Sequence, residues 1–249
     1  MIAVISPAKT LDYETPPPPV APTMPRFGVE AASLARSAAR LPQRRLRALM
    51  GISPALAKLN HERFVGFPDA PERPALYAFA GDVYQGLDAA TLDEAAVDFA
   101  QDHLRMLSGL YGLLRPLDLM RPYRLEMGTR WAPRHARLTD WWGDRIAAAL
   151  ADDLAAEGSG TVLNLASNEY WAAIAGHLPA GVRVIAVDFR EGEQRRFVSF
   201  TAKRARGAMA RWLVEHRVTQ LADMQAFEWH GYRYMADESE PDRWRFVRG

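Results

Sequence analysis

Glycine placed beside arginine is the pattern in this chain best suited to chemistry with an anion. Leu104–Gly128, LRMLSGLYGLLRPLDLMRPYRLEMG, holds three glycines, two X-Pro turns, two tyrosines and four arginines, with a fifth, Arg130, just beyond. Glycine lets a backbone come close to a ligand, and main-chain N–H groups next to guanidinium groups bind phosphate oxygens. Gly109 and Gly112 are therefore read as points of close approach, and Arg115, Arg121 and Arg124 as phosphate contacts. Tyr111 between them offers a ring on which an exposed base would stack. Lys203, Arg204 and Arg206 extend the same basic surface.

Lysine is scarce: Lys9, Lys58 and Lys203 stand beside 28 arginines. Where arginine is the default cation, a retained lysine points to a compact ammonium or a titratable amine. Lys9 follows an apolar strand and sits between Pro7 and Asp12. It reads as a phosphate contact or as an ion-pair partner of Asp12. A neutral amine there would instead act as a Schiff-base nucleophile or general base, with Glu169 or Asp188 as carboxylate partner. That alternative makes the chain an enzyme acting on a nucleobase, a nucleotide or damaged DNA. Asn164, Ser167, Asn168 and Glu169 fall at the carboxyl end of a predicted strand, where parallel sheets place ligand groups. Helix capping by Ser167 or Asn168 is the plainer role.

Several chemistries find no support. The six histidines are scattered without ligand spacing, so no metal site is expected. There is no Gly-x-Gly-x-x-Gly and no Walker-type lysine loop, and no cofactor is expected. Absence of cysteine removes disulfides and thiolate catalysis. No apolar run approaches a membrane span, and no leader-like segment opens the chain, so a cytoplasmic location is expected.

Charge is segregated although the net value is only +1. Arg36, Arg40, Arg44, Arg45, Arg47 and Lys58 lie between Ala31 and His61 with no acid among them. Residues 68–102 carry eight acids and one arginine, and 190–217 carry eight basic residues and three acids. Such runs build a basic face on a nearly neutral protein, or they are simply solvated helix surfaces.

The elements that must hold these groups read as an α/β chain. At 49% apolar and 24% charged residues, 249 residues can bury a substantial core, and no linker divides them. Ile2–Ser6 is a buried strand ended by Pro7. Helices are expected at 29–41, 43–50 and 54–65, the last with Ser53 as cap and Pro54 at its first position. Ala75–Phe79 reads as a strand. Thr91-Leu-Asp-Glu94 is a capping-box pattern opening a helix through His103. Thr139–Glu157 reads as one long helix ended by Gly158. Strands at 162–166 and 182–189, with a helix at about 168–178 between them, argue for a partly parallel sheet. Arg195–Phe200 reads as a strand, 202–217 as a helix, and 228–248 as a hairpin.

ISPAKTLDY (Ile5–Tyr13) together with the Gly/Arg stretch resembles the YaaA family of bacterial peroxide-stress proteins. FAGDVYQGL (Phe79–Leu87), NLASNEY (Asn164–Tyr170), VDFRE (Val187–Glu191) and KRARG (Lys203–Gly207) follow in the order of that family. The resemblance implies a cytoplasmic, single-domain α/β protein of unusual topology, with flanking helices and a helix–hairpin–helix-like DNA-binding element in a basic cleft. It also implies DNA as partner and a role in limiting iron-driven oxidative damage. Gly109-Leu-Tyr-Gly112 is the candidate hairpin, between the helix ending at His103 and a short one starting at Pro116.

Overall fold

Four consecutive apolar residues, Ile2–Ile5, are buried without alternation, as a strand covered on both faces requires. A computed structural model describes residues 1–249. Its strands are β1 (Ile2–Ile5), β2 (Arg73–Pro74), β3 (Leu104–Ser108), β4 (Gly112–Leu114), β5 (Leu119–Met120), β6 (Thr161–Leu165), β7 (Arg183–Glu191), β8 (Arg233–Tyr234) and β9 (Arg243–Arg248). Seven of them form one sheet in the order β4-β3-β1-β6-β7-β9-β8, and β2 pairs with β5 apart from it. β3, β1, β6, β7 and β9 run parallel, with β4 and β8 antiparallel at the edges. The partly parallel sheet expected from the apolar runs is present. Val4 pairs with Asn164 and Ile5 with Leu165, so β1 and β6 end side by side.

The helices are α1 (Gly28–Ala39), α2 (Gln43–Met50), α3 (Pro54–Val65), α4 (Ala75–Ala78), α5 (Asp82–Leu87), α6 (Glu94–His103), α7 (Leu138–Trp142), α8 (Arg145–Glu157), α9 (Asn168–Trp171) and α10 (Ser199–Glu215). α6 and α10 pack on the central strands, and α10 also lies along α5. One contiguous apolar core runs from β1 through α1, α8 and α10. None of the helices is long and apolar enough to cross a membrane.

α2 and α3 form where the caps predict. Gly51 closes α2 in the left-handed region, and Ser53 Oγ accepts the Leu56 N–H at the start of α3, with Pro54 at its first position. Leu46, Ile52 and Ala57 are buried, and Leu46 belongs to the main core. The pair is thus two short helices joined by Gly51-Ile52-Ser53.

Other expectations are corrected. Ala75–Phe79 is mostly helix α4; its unbroken apolar run fits a buried helix as well as a strand. Thr139–Glu157 is split, because Gly143 at φ +56° ends α7 before α8 begins. The helix expected at 168–178 stops at Trp171. Arg195–Phe200 is not a strand, since α10 already starts at Ser199. Asp93 rather than Thr91 caps α6, its side chain accepting the Ala96 N–H.

The largest correction concerns the helix–hairpin–helix-like element expected around Gly109. α6 is followed by β3 and β4, a hairpin inside the main sheet, and no helix follows Pro116 before Leu138. Met106, Leu107, Leu113 and Leu114 are buried there. Apolar burial and pairing with β1 therefore decide the structure of this stretch, not presentation to a ligand.

Candidate functional site

Parallel strands converge on a cavity of about 410 Å³ at the carboxyl ends of β1 and β6. Ser6, the first residue past β1, accepts the Ser167 N–H on its Oγ at 2.9 Å and lies 3.3 Å from the Ser167 hydroxyl. The Tyr84 hydroxyl donates to the Ser6 carbonyl at 3.2 Å. Beyond Pro7 the loop is held by the Ala80 N–H on the Thr10 carbonyl and the Asp12 N–H on the Ala78 carbonyl. These bonds fix where Lys9 leaves the backbone.

Lys203 and Arg206 reach the cavity from α10, three residues apart and so on one helix face. Their position depends on glycine. A Cβ at Gly86 would run into the Arg204 carbonyl oxygen, and one at Gly207 into the Val83 carbonyl oxygen. α5 and α10 therefore touch backbone to backbone, and this contact sets Asp82 Oδ2 3.8 Å from Lys203 Nζ. The glycines of FAGDVYQGL and KRARG are there for packing.

The charges of the cavity are unevenly matched. Lys9 is 63% exposed, with Nζ 3.6 Å from Glu126 Oε1, which itself accepts from Arg124 Nε at 2.9 Å. Glu126 Oε2 is buried without a donor. Glu169 Oε1 accepts the Gly128 N–H at 3.2 Å. Arg206 has no carboxylate within ion-pair distance, and its Nε is buried without an acceptor. Burial pulls its guanidinium below the usual arginine range, partly opposed by Asp188. Asp188 lies outside the cavity and is held by Arg190 at 2.8 Å and Arg245 at 3.5 Å. The candidates Lys9, Glu169, Lys203 and Arg206 are thus brought together, and Asp188 is not. Sequence reasoning missed Ser6 and Asp82 as cavity groups and Glu126 as the partner of Lys9. Asp82 lies inside the FAGDVYQGL motif, whereas nothing local marks Glu126.

The residues expected to form a phosphate-binding hairpin have inward partners. A Cβ at Gly109 would meet the Leu125 carbonyl, and Gly112 at φ +68° lies under the Trp142 ring. Tyr111 is 3% exposed and its hydroxyl accepts the Arg121 N–H at 2.9 Å. So buried a ring is no open stacking platform, and burial pushes its hydroxyl up to about 12. Arg115 pairs with buried Asp118 at 3.1 Å, Arg121 with Glu72 at 3.0 Å, and Arg124 with Glu126. Arg204 lies over Phe200 and borders a separate cavity with Arg211 and Arg248. Exposed aromatic rings do occur, at Phe197 and Phe200, each beneath an arginine.

A different surface carries unpaired positive charge. Arg36, Arg40, Arg44, Arg45 and Arg47, on α1 and α2 and just past α1, are exposed. None makes a salt bridge or a side-chain hydrogen bond, whereas Arg73, Arg105, Arg183, Arg195 and Arg211 do. Arg47 lies in the last turn of α2, next to the Gly51-Ile52-Ser53 turn, and the other four precede it along α1 and α2.

Comparison with known proteins bears out the resemblance to this family. A family model described as peroxide stress protein YaaA matches residues 1–238. A "UPF0246 protein" of Rhizorhabdus wittichii is 56% identical over 251 residues, covering 100% of this chain and 99% of the relative. This chain belongs to the YaaA family of peroxide stress proteins.

Proposed function

We propose that this protein serves the peroxide-stress response by binding DNA, gripping duplex or structured DNA through its phosphates without strong sequence preference. The gripping element is α2, the Gly51-Ile52-Ser53 turn and α3, which act as the helix–hairpin–helix-like unit. The observation that carries this reading is the set of five exposed arginines without acid partners along α1 and α2, leading into that turn. An arginine already in an ion pair must break it to hold a phosphate; these need not. The amino end of α3 adds the positive end of a helix dipole, favourable to phosphate. Affinity should then follow backbone charge.

Fluorescence anisotropy with several unrelated duplexes and one bubble duplex tests this. Arg44→Ala, Arg45→Ala and Arg47→Ala combined should weaken binding to all of them alike, by about tenfold or more, with the far-ultraviolet spectrum unchanged. Wild-type affinity in the triple variant would overturn the assignment.

A further inference from the structure

Three cations line the cavity at the ends of β1 and β6, and none of them donates a hydrogen bond within the chain. Lys9 Nζ stands 3.6 Å from Glu126 and Lys203 Nζ 3.8 Å from Asp82, beyond hydrogen-bond length. Arg206 has neither an acid within reach nor an acceptor for its buried Nε. Arg206 lines the cavity, and a guanidinium with no acid partner in the chain leaves charge and donor capacity for a ligand there. The same cavity also carries the carboxylates of Asp82, 3.8 Å from Lys203, and of Glu169, and the Thr10 hydroxyl. A bare anion would satisfy the cations and leave both carboxylates facing it. A ligand that carries both an anionic group and hydrogen-bond donors satisfies the cations and the carboxylates together. At about 410 Å³ the space lies within the usual range for small-molecule sites and is far too confined for a duplex.

We propose that this cavity takes up a single nucleotide, its phosphate on Arg206, Lys203 and Lys9 and its sugar or base donors on Glu169 and Asp82. The nucleotide is either free in solution or swung out of a DNA strand; only the second source rests on the DNA-binding reading. The site is separate from the arginine face of α2, so the two can fail independently.

Calorimetric titration with the four deoxynucleoside 5′-monophosphates and with inorganic phosphate tests the first source. At least one nucleotide should bind about tenfold or more tightly than phosphate, and Arg206→Ala should weaken it by about tenfold or more. Lys203→Ala, at a half-exposed amine, should weaken it in the same direction without threatening the fold. Duplex affinity should stay within about twofold in both variants, since α2 is untouched. For the second source, a duplex with one unpaired 2-aminopurine should brighten on binding wild type and not Lys203→Ala or Arg206→Ala. Free-nucleotide binding alone identifies the first source and strand brightening alone the second, and either supports the proposal. It is overturned if neither signal occurs, if phosphate binds as well as every nucleotide, or if both variants behave as wild type.

Discussion

Gly86 and Gly207 are each pressed against the backbone of the other's helix, and the chemistry of the cavity depends on that contact. Any side chain at either position would collide with a main-chain carbonyl rather than with a movable side chain. Gly207→Ala should therefore destabilise by about 1–3 kcal/mol through overpacking. In a chain of this size that corresponds to a fall in Tm of about 2–12 °C. Differential scanning calorimetry measures it, and an unshifted Tm would show that α5 and α10 are not in backbone contact.

Arg115 and Arg121 should matter to stability and not to DNA. Arg115 pairs with Asp118, which is 1% exposed, and Arg121 bridges to Glu72 while lying over Phe67. Removing both leaves a buried carboxylate with fewer donors, at about 1–3 kcal/mol. Urea unfolding should show this loss while duplex affinity is unchanged. A normally stable double variant with weakened DNA binding would restore these arginines as contacts.

Acid should expose the role of Asp12. Its carboxylate accepts the Thr15 and Glu14 N–H groups at 3.0 and 2.9 Å, and together with Arg73 these bring it from 3.8 to about 2. A depressed native pKa stabilises the fold at pH above the unfolded value, and that contribution is lost as pH falls through the native one. Wild type should exceed Asp12→Asn in stability above about pH 4, with the gap closing toward pH 2. A gap that persists unchanged at pH 2 would place the effect elsewhere.

Lys9→Arg separates a phosphate contact from amine chemistry. The exposed, ion-paired ammonium suits a charge contact, which a guanidinium also supplies. Nucleotide binding and survival of peroxide should both be retained within about threefold, whereas Lys9→Ala weakens the first. Lost protection with intact binding in Lys9→Arg would instead indicate a Schiff-base or general-base role.

Local signals made α2, α3, β1 and the parallel strands legible: Ser53-Pro54, Gly51 and unbroken apolar runs each act within a few residues. The Gly/Arg stretch misled because two of its arginines pair with acids inside the stretch itself, Asp118 and Glu126, and Arg121 with distant Glu72, and because its glycines face the protein's own backbone and rings. Lys9 and Lys203 stood out by rarity. Their meeting with Asp82, Glu126 and Arg206 is made by the α5–α10 contact and the Ser6–Ser167 bond, which no local pattern records. The run of unpaired arginines was visible as charge, but freedom from ion pairs is a property of the fold alone.

Salt dependence of duplex binding tests the DNA-binding claim most directly. If about six phosphates are neutralised, the logarithm of affinity should fall with the logarithm of salt at a slope of about −5, roughly a thousandfold between 50 and 200 mM. Arg44→Ala, Arg45→Ala and Arg47→Ala combined should flatten that slope by about 2.7, since each phosphate no longer neutralised accounts for about 0.9. Binding that ignores salt, or a slope unchanged in the triple variant, would contradict backbone gripping by α2 and its turn.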